Sequence, residues 1–284
     1  MPNFTLGPNQ YGKAETRLVR VVRGPGGDEL TDLNVSVALR GDLAASHLAG
    51  DNGAVLPTDT QKNTVYAFAR EHGIDGIESF AVRLARHFVD SQPSITAARV
   101  GIEQYPWQPV DGVHTFRRDG GEIRTTTVHC GADWVQVVSG VSGLVLLKTT
   151  DSEFHGFVKD RYTTLPETRD RILATSVNAT WRHTGDVEDT YDAARGALLD
   201  AFAGTYSLAL QQTLYAMGSL VLERCPGVAE VKLSLPNKHH FLVDLSPFGL
   251  DNPNEVYFAA DRPYGLIEGT VRRDDAAEEL AWTF

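Results

Sequence analysis

Apolar and polar residues alternate along residues 11–23 and again along 31–40, where Val35, Val37 and Leu39 share one face, and this period of two predicts half-buried strands. Between them, Gly24-Pro25-Gly26-Gly27-Asp28 is a turn signal, so the pair reads as an antiparallel hairpin. The period then lengthens. Asp59 or Thr60 can cap a helix reaching Glu71, with Val65, Phe68, Ala69 and His72 on one side, and Ile77, Phe80, Ala81, Leu84 and Phe88 recur at helical spacing over 77–90. Strands resume at 95–105, 113–118 and 122–130, the last two joined by Asp119-Gly120-Gly121, and at 134–139 and 143–149, separated by Gly140.

The second half repeats this order. Strands 143–149 and 176–184 precede helices at about 190–203 and 208–224, the longer one carrying Leu210, Leu214, Met217, Val221 and Leu222, and strands 228–235, 240–245 and 255–259 follow. The chain thus reads as α+β class, with two ββααββ-type units at residues 1–140 and 141–284 that share no sequence identity. Helices cover one face of each sheet and leave the other in need of cover. Closing such sheets into barrels by oligomerisation removes the edges, so an assembly is expected rather than a monomer.

Composition narrows the function. With 37 acidic and 26 basic residues the net charge is -11, which opposes a nucleic-acid backbone, and the densest basic run, Lys13, Arg17, Arg20 and Arg23, is spread along a strand. A small anion stays possible, because one or two buried arginines can set the local field. Cys130 and Cys225 suggest neither a disulfide framework nor a metal cluster, and no apolar stretch is long enough to span a membrane. Met1-Pro2-Asn3-Phe4 lacks the features of a secretion signal, and Ala281-Trp282-Thr283-Phe284 is not a peroxisomal signal. A cytoplasmic protein of bacterial type is the expectation.

Two segments carry candidate chemistry. Asn237-Lys238-His239 falls where two strand-like runs meet, and Thr58-Asp59-Thr60 lies where a loop enters a helix, whose unpaired N–H groups favour an anion. Read alone, each residue has an ordinary alternative. Arg171 could be a surface partner of Glu167 or Asp170, Phe154 local core with Phe157, Asn237 a turn residue, Gln211 solvated and Lys13 a surface charge. There is no H-E-x-x-H, no dinucleotide glycine fingerprint, and no convincing ligand set among His47, His87, His114 and His129.

Taken in order, Tyr11-Gly12-Lys13, Thr58-Asp59-Thr60-Gln61-Lys62-Asn63-Thr64-Val65-Tyr66, Leu147-Lys148-Thr149-Thr150-Asp151-Ser152-Glu153-Phe154, Tyr162-Thr163-Thr164-Leu165 with Arg169-Asp170-Arg171, Gln211-Gln212-Thr213-Leu214-Tyr215 and Leu235-Pro236-Asn237-Lys238-His239 resemble the urate oxidase (uricase) family. The resemblance implies a tunnelling fold of two tandem units. It further implies a homotetramer enclosing a tunnel, with active sites at subunit interfaces. Urate would be oxidised by molecular oxygen and water to 5-hydroxyisourate and hydrogen peroxide, without metal or organic cofactor. By the same resemblance, Arg171 and Gln211 grip opposite edges of urate, Phe154 stacks on its ring, Leu210 offers a backbone contact and Asn237 holds oxygen above the ring. Thr58 and Asp59 also bind the substrate, and Lys13, Thr58 and His239 form a proton relay. Two other readings compete: a tunnelling-fold enzyme acting on a pterin or GTP-like heterocycle, which would commonly need zinc, and a noncatalytic purine-binding oligomer.

Overall fold

The opening hairpin forms as its alternation predicts. Strands β1 (Tyr11–Gly24) and β2 (Gly27–Gly41) pair antiparallel from Tyr11 opposite Leu39 to Gly24 opposite Gly27, so β2 starts four residues earlier than 31. The structure, a computed structural model, describes residues 4–185, 189–260 and 262–277. The Met1-Pro2-Asn3 and Ala281-Trp282-Thr283-Phe284 readings therefore lie outside the described residues. The chain folds as two units, Met1–Gly140 with Arg182–Asp189 and Ala277–Phe284, and Val141–Trp181 with Thr190–Ala276.

After the hairpin the first unit continues with α1 (Ala44–Ala49), α2 (Thr58–Glu71), α3 (Ile77–Ser91), β3 (Ile95–Tyr105), β4 (Trp107–Pro109), β5 (Phe116–Arg118), β6 (Ile123–Gly131) and the start of β7 (Val135–Lys148). Its sheet runs β1-β2-β3-β6-β7, with antiparallel pairing at β1–β2, β2–β3 and β3–β6. Leu33, Val35, Val37 and Leu39 of β2 and Ile77, Phe80, Ala81, Leu84 and Phe88 of α3 are all buried in one core. Each fully buried Leu or Phe contributes about 1.5–3 kcal/mol relative to exposure, which holds helix to sheet.

Strand β7 also enters the second unit, followed by β8 (Leu173–His183), α4 (Tyr191–Gly204), α5 (Leu210–Arg224), β9 (Val228–Asn237), β10 (His240–Leu242), the 3-10 turn Ser246–Phe248, β11 (Tyr257–Ala259) and β12 (Gly265–Arg272). Here the order is β7-β8-β9-β12, and β10 pairs with β11 apart from it. Leu210, Leu214, Met217, Val221 and Leu222 of α5 lie in the core. A Cβ at Gly218 would sit 2.5 Å from Val271 Cγ2, so glycine lets α5 close onto β12.

Several boundaries differ from the sequence reading, each for a local reason. Gly140 does not separate a pair of strands, because β7 runs through it, and the irregularity comes at Gly143, whose φ is 74° and whose N–H donates to Asn178 Oδ1 at 3.0 Å. Residues 113–115 are not strand: Asp111 Oδ1 accepts their three N–H groups in a turn, leaving only β5 to pair with β4. Residues 243–245 leave the strand because the Asn252 side chain bonds the carbonyls of Val243 and Val256. The last strand of the second sheet is β12, paired with β9, and not 255–259. Helix α2 is preceded by Pro57 without any side-chain cap, so neither Asp59 nor Thr60 caps it.

Trp181 is fully buried, and its Nε1–H donates to Thr190 Oγ1 at 3.0 Å. Trp181→Phe is expected to lower unfolding stability by about 1–3 kcal/mol, since it opens a void and strands the threonine hydroxyl. Denaturant unfolding measures this, and an unshifted midpoint would contradict it. No described helix is long and apolar enough to cross a membrane.

Candidate active site

Lys13 owes its direction to one extra residue in β1. Lys13 lies opposite Val37 but Thr16 lies opposite Val35, so three steps on β1 match two on β2. Glu15 absorbs the mismatch with a left-handed φ of 55°, and its N–H donates to Ser36 Oγ at 3.0 Å. Continuing the later register without the bulge would set Lys13 opposite Ala38 and turn it to the other face of the sheet. The bulge instead puts Lys13 on the face of Val37, which packs into the helix-covered core, and Lys13 itself is half-buried.

Two hydrogen bonds bring the start of α2 to this strand. The Leu56 N–H donates to Tyr11 Oη at 2.9 Å, and the buried Gln61 donates Nε2–H to the Leu56 carbonyl at 3.3 Å. Thr58 and Asp59 thus open α2, both exposed, where the first-turn amides lack intrahelical acceptors. Asp59 accepts from Lys62 and Asn63. Its carboxyl is held below the ordinary range chiefly by the Lys62 hydrogen bond and charge, and the Lys13 charge adds to this. Lys13, Thr58 and Asp59 are therefore gathered within the first unit.

The second unit gathers the other candidates. Phe154 and Thr168 form an antiparallel bridge, exchanging N–H···O bonds of 2.9 and 3.0 Å. Ser152 bridges Ser207, with Glu153 N–H to Ser207 O at 2.7 Å and Ser207 N–H to Asp151 O at 2.9 Å. Arg171 donates Nε–H to Ser152 Oγ at 3.2 Å, and its Cζ lies 5.2 Å from the Phe154 ring centroid. Phe157 stacks on Phe154 with centroids 4.9 Å apart and planes at 15°, and both rings are half-buried rather than part of the hydrophobic core. Among the described residues Arg171 makes no ion pair: Lys159 takes Glu167, and Asp170 accepts the Thr150 hydroxyl. Burial lowers the Arg171 pKa, yet a guanidinium stays charged in any neutral solution.

Ser207 leads directly into α5. Leu210 is buried at the first helical position and Gln211 is exposed at the second, and the Leu208 N–H donates to Gln212 Oε1 at 2.8 Å. Behind Arg171, the Lys238 N–H donates to the Ala174 carbonyl at 2.8 Å, drawing the end of β9 to the start of β8. Asn237, half-buried, closes β9 opposite Gly265, and its amide has no hydrogen-bond partner among the described residues. His239 stacks on Phe241 at 5.8 Å. Its pKa is lowered by burial first, then by the charges of Arg171 and His240, which favours a neutral imidazole able to accept a proton. His240 instead engages the Lys238 carbonyl at 3.1 Å.

Three supporting residues were not singled out by the sequence reading. Ser152 anchors Arg171, and Tyr11 anchors the turn before α2. Glu153 accepts from Tyr206 and pairs with His155 at 2.7 Å and Arg169 at 3.7 Å. Their only sequence signal is membership of the matched runs, because the Arg171, Leu56 and Tyr206 partners lie 19, 45 and 53 positions away. Among the described residues, no three His, Cys, Asp or Glu side chains gather where they could hold a metal.

The family model described as Uricase matches residues 9–129 and 137–268. A uricase from Arthrobacter globiformis is 53% identical over 283 residues, covering 98% of this chain and 93% of its own length. One from Dictyostelium discoideum is 37% identical over 281 residues, covering 95% and 98%. The crystal structure of uricase from Arthrobacter globiformis matches with a TM-score of 0.95 at 52% identity, over 98% of each chain.

Proposed function

This chain belongs to the uricase family and oxidises urate, and from that premise we propose how its residues divide the work. The chain is read as two tandem tunnelling-fold units. Supporting this, each unit runs strand, strand, helix, helix, strand, strand along its main sheet, as β1-β2-α2-α3-β3-β6 and β7-β8-α4-α5-β9-β12. The end strands β1 and β12 expose Val19, Val21 and Leu266, the kind of edge that pairing with further copies would cover. A homotetramer with barrels closed around a tunnel meets that need. Lys13, Thr58 and Asp59 of one protomer then complete the site of its neighbour.

In that site the Phe154 ring carries urate, Arg171 and Gln211 clamp its edges, and the first amides of α5, Leu210 included, and of α2 face the anion. The relay of Lys13, Thr58 and His239 withdraws a proton, leaving an electron-rich dianion. The dianion passes electrons to molecular oxygen held at Asn237, and water guided by Thr58 and Asn237 adds at C5. Urate, O2 and H2O thereby yield 5-hydroxyisourate and H2O2, with urate itself as the two-electron donor and no metal or organic cofactor. The groups that act are set in place before reaction, which lowers the barrier by matching developing charge. Activity in the cytoplasm accords with the two free, buried cysteines.

The observation that carries this reading is the Arg171 guanidinium, anchored at Nε and set 5.2 Å from the Phe154 ring, free of any acidic partner among the described residues. Loss of urate absorbance together with oxygen uptake by chelator-treated protein tests it. Activity that returns only with added iron, copper or flavin would overturn the cofactor-free route. Arg171→Lys is expected to raise KM for urate about 10–100-fold, because a point charge replaces a planar fork. Steady-state kinetics check this, and an unchanged KM removes Arg171 from the clamp.

A further inference from the structure

We propose that Ser152, Ser207 and Thr213 form a buried positioning link that sets Arg171 and Gln211 at the spacing urate requires. The inference rests on the clamp described above and names residues that no contact with substrate would pick out. All three hydroxyl side chains are fully buried, at 0% exposure. Arg171 Nε–H donates to Ser152 Oγ at 3.2 Å, the backbones of Ser152 and Ser207 are bridged, and Thr213 Oγ1–H donates to Ser207 Oγ at 2.9 Å. One continuous path therefore joins the arginine arm of the clamp to the first turn of the helix that carries the glutamine arm.

Each end of the path has a geometric consequence. A guanidinium is rigid and planar, so holding Nε and approaching the Phe154 ring orient the whole fork and leave both Nη groups for a ligand. On α5, Gln211 and Thr213 are two residues, or about 200°, apart around the helix. Tying Thr213 inward therefore turns Gln211 outward, matching its exposure. A network serving only to satisfy buried hydroxyls would need no connection to Arg171. A clamp holds substrate and transition state alike, so loosening it raises KM and leaves kcat nearly unchanged.

The test is a double-mutant cycle in steady-state urate kinetics, using wild type, Ser152→Ala, Arg171→Lys and the double variant. Ser152→Ala is expected to raise KM about ten-fold, with kcat changed less than about three-fold. In the Arg171→Lys background the same change is expected to alter KM less than about two-fold, since the bond it removes is already gone. An unaffected KM, or an equal rise in both backgrounds, would overturn the link. Should Ser152→Ala fail to fold, the near-isosteric Thr213→Val decides: a KM raised about three- to ten-fold at constant kcat supports the link, and unchanged kinetics reject it. A wild-type protein inert toward urate would sink the functional reading itself, whereas an active wild type with indifferent variants sinks only the link.

Discussion

Replacing Lys13 by methionine is expected to lower kcat for urate about 10²–10⁴-fold, the range lost when a positioned proton-transfer group is removed. Methionine keeps the unbranched stem that the half-buried position packs against, so the bulged strand survives and only the nitrogen goes. KM should move little, because the clamp lies elsewhere. The pH profile should change shape as well. In the wild type, His239 has a lowered pKa, so it is neutral at pH 7 and gains its proton only below the ordinary histidine value of about 6.5. Protonation stops it from accepting a proton, so activity is present above that region and lost as pH falls through it. With the relay broken at Lys13, the residual turnover should no longer follow that acid limb. Profiles of kcat/KM against pH for the two proteins provide the check, and superimposable shapes would remove Lys13 from the relay.

Asn237→Ala is expected to slow oxidation about 10²–10³-fold, as for loss of one preorganised polar donor beside developing charge. Urate binding should change less than about three-fold, since the clamp residues remain. Asn237 stands at the end of β9 with an amide unengaged among the described residues, and the pairing with Gly265 and the Lys238–Ala174 bond hold its backbone independently of the side chain. Binding measured without oxygen, set against turnover with oxygen, separates the two effects. Equal losses in both would contradict a role on the oxygen side.

What was legible of the fold follows from periodicity. The five residues assigned to the inner face of α3 and the five assigned to α5 are all buried, because helical spacing reports which side meets the core. The overlooked β12 shows the limit: Gly265 and Gly269 interrupt its alternation, and its partner β9 is remote in sequence. Gly140 misled in the opposite sense, since a glycine inside a buried strand looks like punctuation when read alone. For the site, the residues by themselves supported ordinary explanations as well as functional ones. The ordered runs shared with the uricase family supplied the roles.

From the amino-acid order alone came the α+β class, the inner faces of α3 and α5 and membership of a urate-oxidising family, all properties carried by local spacing or contiguous runs. The direction of Lys13, the anchoring of Arg171 on Ser152 and the pairing of β9 with β12 were decided only in three dimensions. Each depends on a contact between distant residues: a register slip against β2, a bond spanning 19 positions in sequence, a strand returning after a separate hairpin. Periodicity describes one element at a time, whereas these features arise where two elements meet.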